Sequence, residues 1–413
     1  MELKNLSIKE IFNVSVIIAA LGYFVDVYDL LLFLVVKTQS LTEIGIASAD
    51  ITNEYIKIHN MQMMGMLLGG ILWGILGDKK GRLSVLFGSI FLYSAANFAN
   101  AFVQNVEMYG WLRFIAGVGL AGELGAGITQ VSEVMSKENR GIGTMLVASI
   151  GVLGAILAGL VANYLDWRVC YMIGGVLGFA LLLLRIGVVE SGMFAKVKTE
   201  QHISRGNFLS LFTNGKRFTK YMKCIMVGVP IWYVISVLIG LAKQFGAEFN
   251  VIGEVKDNFA VLFCYAGLTV GDVLAGVLSQ ILKSRKKVLF IFINLSAILC
   301  AVYFSLDHVS YTVMYTMCFL LGLSVGYWAI FITIAAEQFG TNIRATAATT
   351  VPNFVRGASV PIMLSFKYLK GDGGMAMVPA AITVGVVCLI IAYIALFNME
   401  ETFGKELDYN EEA

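Results

Sequence analysis

Twelve long apolar runs constrain this chain more than any other feature of its sequence. A helix needs roughly 20 apolar residues to cross a hydrocarbon core about 30 Å thick, and the runs have comparable lengths. They lack the alternation of membrane β-strands, which leaves the α-helix as the spanning element. The predicted spans are residues 11–36, 61–77, 83–103, 108–135, 142–165, 169–189, 224–242, 259–282, 288–305, 311–336, 346–366 and 375–397. The sequence therefore predicts an all-α membrane protein with twelve transmembrane helices.

Charged residues make up only 14% of the chain, against about 25% in a typical soluble domain. The 30 Lys and Arg residues nearly balance the 28 Asp and Glu residues, so the basic excess of a nucleic-acid-binding protein is missing. The six cysteines are isolated in the sequence, without the paired spacing of a zinc site or a disulfide framework. No metalloprotease or serine-hydrolase pattern occurs in the spans. We expect a protein of the lipid bilayer that is not an enzyme and needs no metal or cofactor.

The loops predict the orientation, because Lys and Arg collect on the cytoplasmic side of a membrane protein. An even number of spans puts both termini on one side. The segments on that side hold 20 of the 30 Lys and Arg residues, whereas the opposite segments hold 7. We therefore expect a multi-pass protein of the inner membrane with both termini in the cytoplasm.

One polar stretch between the sixth and seventh spans is longer than the other loops. It divides the chain into an N-terminal six-helix half (residues 1–190), a cytoplasmic linker (191–223) and a C-terminal six-helix half with a short cytoplasmic tail (224–413). This division predicts two bundles of equal helix number.

The two halves also repeat a pattern of charges. Glu133 and Arg140 close the fourth span with a spacing of seven, and Glu337 and Arg344 close the tenth span with the same spacing. Two parallel halves related by an axis along the membrane normal produce such a repeat. The predicted architecture is a pair of pseudo-symmetric bundles, which is typical of transporters.

Ionisable residues inside spans are costly and usually face a cavity or a partner. The first span carries Asp26 and Asp29, and the fourth carries Arg113. At 1.5 Å per residue, Asp29 lies about 10 Å and Arg113 about 8 Å from the outer ends of their helices. Two acids that compete for one guanidinium can couple transport to protons. A permanent ion pair that only joins two helices is the alternative.

Two more charges lie within predicted spans. Glu123 lies among glycines on the fourth span and is either a second proton site or a hydrogen-bonded structural residue. Arg356 lies between Pro352 and Pro361 on the eleventh span, and interrupted helices near the membrane midplane hold transporter substrates. Its planar fork suits a carboxylate, although pairing with Asp272 is an alternative.

Other residues can complete a substrate site around Arg356. Asn353 precedes Arg356 by one helical turn, and the aromatic candidates are Tyr327, Trp328 and Tyr233. Aromatic residues in spans more often serve in packing than in binding. The three histidines, His59, His202 and His308, lie near predicted helix ends or in the linker. We expect them at solvated surface positions and not in a proton relay.

The segment GILGDKKGR, which follows the second span and ends at Arg82, resembles the signature of the major facilitator superfamily. The resemblance implies a cytoplasmic gate that includes Asp78, Arg82, Glu133 and Arg140. In the second half Gln280 replaces the acid, so that half has a weaker gate or relies on Glu337 and Arg344.

A finer resemblance concerns the first and fourth spans. The first-span segment VDVYDLLLF and the fourth-span stretch from residue 113 to 140 are similar to those of the metabolite:proton symporters, while PNFVRGASVP in the eleventh span resembles organic-acid carriers. The resemblance implies proton-driven uptake of a small organic acid or zwitterionic metabolite, by a monomer as the family default. The alternatives are an exporter or uniporter on the same fold and, more remotely, a non-transporting receptor.

Overall fold

The computed structural model describes residues 14–80, 82–123, 125, 127, 140–190, 208–340 and 343–404. Within these ranges the regular structure is helical, apart from a single parallel bridge between Ile252 and Ser310. Every predicted span overlaps a helix, which confirms the all-α fold. Hydropathy predicts these elements well because a backbone in lipid must satisfy its own hydrogen bonds.

Six helices are described in the N-terminal half. They are α1 (Val14–Glu43), α2 (Ile51–Lys80), α3 (Arg82–Asn100), α4 (Val106–Leu120), α5 (Arg140–Tyr164) and α6 (Trp167–Glu190). The start of α4 illustrates the local rules, since the side chain of Asn105 accepts a hydrogen bond from the backbone N–H of Met108, as an N-cap does. We call the membrane face that holds the loop between α1 and α2 the first-loop face.

The C-terminal half has more breaks. It contains α7 (Ser210–Thr213), α8 (Gly215–Tyr233), a π-helix (Val234–Ile239), α9 (Ala242–Glu248), α10 (Asp257–Leu282), α11 (Arg285–Phe304), α12 (Tyr311–Ser324), α13 (Trp328–Glu337), α14 (Arg344–Gly357), α15 (Ser359–Lys370) and α16 (Met377–Phe397). The tenth predicted span is thus divided into α12 and α13, and the eleventh into α14 and α15. Both breaks lie close to the ionisable residues described below.

Burial separates central helices from lipid-facing ones. Among the described residues, eight helical segments are long and apolar enough to cross a membrane. The most apolar windows of Val16–Glu43 and Gly215–Ile239 are both 83% buried, whereas that of Arg285–Phe304 is 39% buried. Large side chains such as Leu183 and Ile298 point outward and are exposed. The chain is therefore a multi-pass membrane protein in which α1 and α8 form the centre.

Close packing between helices depends on glycine at defined positions. Gly154 on α5 lies directly against the backbone of Phe24 and Tyr28 on α1. Small residues let membrane helices approach closely, because association there depends on contact and not on hydrophobic burial. In the second half, Gly271 and Gly326 bring α10 and the segment after α12 into backbone contact in the same way.

We predict that Gly154→Ala lowers stability, because its Cβ would overlap the carbonyl of Phe24. Overpacking of this kind costs about 1–3 kcal/mol, which thermal melting of the purified protein in detergent would detect. Gly215→Ala is the matched control, since nothing lies within 4 Å of its Cβ position. Equal melting temperatures for the two variants would contradict the packing argument.

Candidate substrate and proton site

A small cavity lies at the centre of the molecule, where α1, α8, α10, α13 and α14 meet. Its volume is about 20 Å³, which is room for a single water molecule. Four aromatic side chains and one guanidinium contribute to its lining: Tyr23, Trp232, Tyr265, Trp328 and Arg356. The cavity therefore combines aromatic surface with one buried cation.

Arg356 is 1% exposed and loosely held. Its Nη2 lies 3.8 Å from Oδ2 of Asp26, and its Nη1 donates to Oδ1 of Asn353 at 3.4 Å. Among the described residues, neither carboxylate oxygen of Asp26 has a hydrogen-bond partner. The guanidinium also lies 5.5 Å from the centre of the Trp328 ring, within the range of a cation–π contact. An ion pair without a hydrogen bond thus links α14 of the second half to α1 of the first.

The alternative pairing of Arg356 with Asp272 is wrong. Oδ1 of Asp272 instead accepts the backbone N–H of Ala329 at 3.0 Å, at the start of α13. The break between α12 and α13 leaves N–H groups without helical partners, and a carboxylate satisfies them and the local dipole. Asp272 therefore stabilises a helix start.

The predicted aromatic residues have different positions. Trp328 lines the cavity, and its Nε1 donates to the hydroxyl of Tyr23 at 3.0 Å. The hydroxyl groups of Tyr327 and Tyr233 donate to backbone carbonyls, of Val227 at 3.1 Å and of Ala381 at 2.8 Å. These two tyrosines join helices and are not among the residues that line the cavity.

Three aromatic residues of the cavity were missed by the sequence analysis: Tyr23, Trp232 and Tyr265. A signal existed for Tyr23, which precedes Asp26 by three residues and so shares its side of α1. Asn353 has a positioning role, because its Nδ2 donates to the carbonyl of Ala121 at 2.9 Å while its Oδ1 accepts from Arg356. The first contact also joins the two halves.

Arg113 and Asp29 come together as expected, but through the backbone. Nη2 of Arg113 donates to the carbonyl oxygen of Asp29 at 2.9 Å. Its other contacts are to amide oxygens, of Asn97 at 2.7 Å and of Gln62 at 3.3 Å. No described residue donates a hydrogen bond to either carboxylate oxygen of Asp29. The predicted ion pair of these two side chains is therefore not formed, because neutral acceptors already satisfy the guanidinium.

Glu123 forms a buried ion pair with Arg185 of α6. Nη1 of Arg185 donates to Oε2 of Glu123 at 3.2 Å, and Nη2 donates to Oε1. The pair lies against Gly22 of α1, one helical turn from Asp26. Both residues belong to the N-terminal half, so this pair does not cross between the halves.

The residues of the predicted cytoplasmic gate are described in part. Glu133 lies outside the described residues, as do the side chains of Asp78, Arg82, Arg140 and Arg344. Glu337 is described: its Oε1 accepts from Arg285 at 3.2 Å, and its Oε2 accepts from Thr402 at 2.7 Å. Glu337 thus links α13 to the start of α11 and to the segment after α16.

The prediction of solvated histidines is wrong for His59. That side chain is 3% exposed, and its Nε2 lies 3.1 Å from Oγ of Ser236 in the π-helix. It was assigned to a helix end, whereas α2 begins at Ile51 and continues well past it. His308 is exposed beside Asp307, as predicted, and His202 lies outside the described residues.

Contacts between the halves lie on both sides of the cavity. Toward the first-loop face, Nζ of Lys37 on α1 lies 2.6 Å from Oδ1 of Asp257 on α10. Toward the opposite face, Gly125 packs against Thr349, and Asn353 reaches Ala121. The described residues therefore place a polar centre between two halves that contact each other on either side of it.

A bundle of spanning helices with buried charges at an inter-half cavity is the organisation of a secondary transporter. The family model of the Major Facilitator Superfamily matches residues 14–363. The chain belongs to this superfamily, whose members are transporters and not enzymes and need no cofactor.

Several relatives are similar over most of their length. The niacin transporter of Acinetobacter baylyi (strain ATCC 33305 / BD413 / ADP1) is 26% identical over 98% of each chain. The 3-(3-hydroxy-phenyl)propionate transporter of Escherichia coli (strain K12) is 27% identical over 86% of this chain and 88% of its own. The sialic acid transporter of the same organism is 21% identical over 91% and 92%. This protein is thus a transporter of small metabolites.

We predict that Glu123→Gln destabilises the protein, because it leaves the guanidinium of Arg185 buried without its counter-charge. Breaking a buried pair costs about 3–5 kcal/mol, measurable by thermal melting in detergent. The double variant Glu123→Leu/Arg185→Met should recover most of the loss, since an apolar replacement removes both charges. A double variant no more stable than the single one would argue against the pair.

Proposed function

We propose that the protein carries a small organic acid into the cell together with protons, by alternating access across the inner membrane. The observation that carries the proposal is Arg356, a buried cation between the halves whose ion-pair partner among the described residues is the distant carboxylate of Asp26. A substrate carboxylate can offer this guanidinium two parallel hydrogen bonds, which Asp26 does not.

The surroundings of Arg356 favour an acid with a flat ring. Trp328 lies beneath the guanidinium, and Tyr23, Tyr265 and Trp232 line the same cavity. Aromatic faces stack on planar ligands. Two of the relatives are named as transporters of niacin and of a hydroxyphenylpropionate, which are both aromatic acids, and this supports the same class of substrate here.

Proton coupling follows from a competition for Arg356. When a substrate carboxylate binds the guanidinium, Asp26 loses its partner in an interior that gives its oxygens no hydrogen-bond donor. An unpaired buried charge is costly, so the carboxylate binds a proton instead. Release of the substrate restores the ion pair and expels the proton. Each transport cycle then moves the acid and a proton together.

Three other residues extend this proton site along α1. Asp29 follows Asp26 by three residues, beside Arg113, and Glu123 lies against Gly22 on the same helix. Acidic groups thus occur about one turn apart along α1. We propose Asp29 as a second proton carrier, with Arg113 holding its backbone, and Glu123 as an acid that a proton reaches on the way to the opposite face.

Alternating access requires the two halves to rock about this centre. We propose that residues 1–190 and 224–413 are the moving units, that both termini lie in the cytoplasm and that a monomer suffices. Asp78, Arg82, Glu133 and Arg140, with Glu337 and Arg344, would form the gate at the face opposite the first loop. Their charges can pair in one state and separate in the other.

Binding of an aromatic acid is testable by thermal melting. We predict that nicotinate raises the melting temperature, because a ligand at 100 times its Kd adds about 2.7 kcal/mol to stability. Nicotinamide is the matched control, since it keeps the ring and lacks the carboxylate. The variant Arg356→Gln should lose the shift. Stabilisation by sugars or nucleosides, with none by nicotinate, 3-(3-hydroxyphenyl)propionate or sialic acid, would overturn the role of Arg356.

Uptake into proteoliposomes tests the proton step. In Asp26→Asn we expect exchange of substrate to continue, while accumulation driven by an imposed pH gradient is lost. The neutral amide cannot bind and release a proton, although it keeps the shape of the side chain. Asp29→Asn shows whether the second acid shares the role. Unchanged accumulation in both variants would exclude these residues, and wild-type uptake that ignores the pH gradient would exclude coupling.

A further inference from the structure

Lys37 and Asp257 form a second buried ion pair between the halves. Nζ of Lys37 lies 2.6 Å from Oδ1 of Asp257, and the side chains are 0% and 4% exposed. The hydroxyl of Thr38 donates to the other carboxylate oxygen, Oδ2. The ammonium group also lies 5.2 Å from the centre of the Tyr55 ring. Both oxygens of Asp257 are therefore bound by α1.

The position of the pair separates the cavity from the first-loop face. Leu30 lines the cavity, and Lys37 lies seven residues farther along α1, which is about 10 Å. Glu43 ends the helix about 9 Å beyond Lys37. Asp257 is the first residue of α10, where an acid is favoured by the helix dipole. A molecule that enters from the first-loop face must pass this level.

Other contacts between the halves lie at the same depth in the membrane as the Lys37–Asp257 pair. The hydroxyl of Tyr55 on α2 donates to the carbonyl of Ser236 at 2.8 Å, and His59 contacts the Ser236 hydroxyl. Ser236 belongs to the π-helix and directly follows Ile235, which lines the cavity. The π-helix thus contacts α2 at the level where α1 contacts α10, on the first-loop side of the cavity.

This ion pair differs from that of Glu123 and Arg185 in where it acts. A pair within one half is kept in every state of a rocking transporter, whereas one between halves must break when they separate. In the closed state the desolvation of two charges offsets most of their attraction. In the open state both charges regain water. Such a pair costs little to break as a whole, but loss of one partner strands a charge only in the closed state.

We propose that Lys37 and Asp257 are the gate at the first-loop face, and that their pairing sets how often the carrier opens there. The proposal depends on alternating access in the proposed function and adds the residues that control it. Neutralising either partner penalises the closed state alone, so the equilibrium shifts toward the open state. Neutralising both removes the penalty.

Labelling of a cavity cysteine measures the opening. The parent is Val27→Cys in a background without the six native cysteines, with a membrane-impermeant maleimide applied at the first-loop face of oriented proteoliposomes. Val27 is buried in the cavity wall. We expect Lys37→Met and Asp257→Asn each to raise the labelling rate at least about tenfold, because each strands one buried charge. The double variant Lys37→Met/Asp257→Leu should return to within about threefold of the parent, as coupled sites do.

The control is an ion pair of the same type that does not cross between halves. Lys57 and Glu54 lie on α2 at 3.9 Å, with side chains that are 55% and 27% exposed. Lys57→Met should leave the labelling rate unchanged, since exposed pairs contribute little. A rise in this variant equal to that in Lys37→Met would show a general effect of lost charge and overturn the gate.

Three further outcomes overturn the proposal. They are single variants that label at the parent rate, a double variant that labels as fast as the singles, and a charge-swapped variant, Lys37→Asp/Asp257→Lys, that labels as fast as the singles. The swapped variant decides the question if a single variant is not monodisperse in size-exclusion chromatography, because it keeps both charges. Labelling needs no substrate, so the gate can fail while nicotinate uptake persists, and uptake can fail while the labelling pattern holds.

Discussion

The loose ion pair of Arg356 and Asp26 is the interaction on which the rest of the structure depends. At 3.8 Å it neutralises two charges at the centre of the molecule without a hydrogen bond between them. Its partners come from different halves, so each half alone would carry an uncompensated buried charge, which is costly in a membrane. This pair is surrounded by the aromatic lining of the cavity, the Asn353 contact and the contacts between the halves on both sides of the cavity.

The three buried ion pairs discussed above differ in the distance and the hydrogen bonding between their partners. Glu123 and Arg185 are held through two hydrogen bonds within one half, and Lys37 and Asp257 are in close contact at 2.6 Å. Arg356 and Asp26 remain apart. A distant pair leaves hydrogen-bonding capacity for a ligand, whereas a two-point ion pair does not. This difference supports the proposed substrate role of Arg356 and the proposed gating role of Lys37 and Asp257.

The spans and the short set of ionisable residues within them were predictable from sequence, because apolar length and a charge inside it are local properties. The ion-pair partners of these residues were not predictable from sequence. Arg356 pairs with Asp26 and not with Asp272. The rotation of each helix about its axis and the break before α13 determine which side chains come into contact. His59 was expected at a solvated position because it precedes the apolar run of the second span, and Lys37 directly follows the run of the first span, yet α1 and α2 both extend past these runs. Both side chains are buried by neighbouring helices, and a hydropathy profile does not show such tertiary contacts.

The size of the central cavity has a consequence for binding equilibria. A space of about 20 Å³ is too small for an organic acid, so in the proposed transport cycle a substrate binds only to conformations in which the halves have parted. The apparent Kd then equals the intrinsic Kd divided by the fraction of open molecules. When the closed conformation is strongly populated, the measured affinity is weak even if every contact with the ligand is ideal. A more stable closed conformation therefore raises the apparent Kd for the substrate.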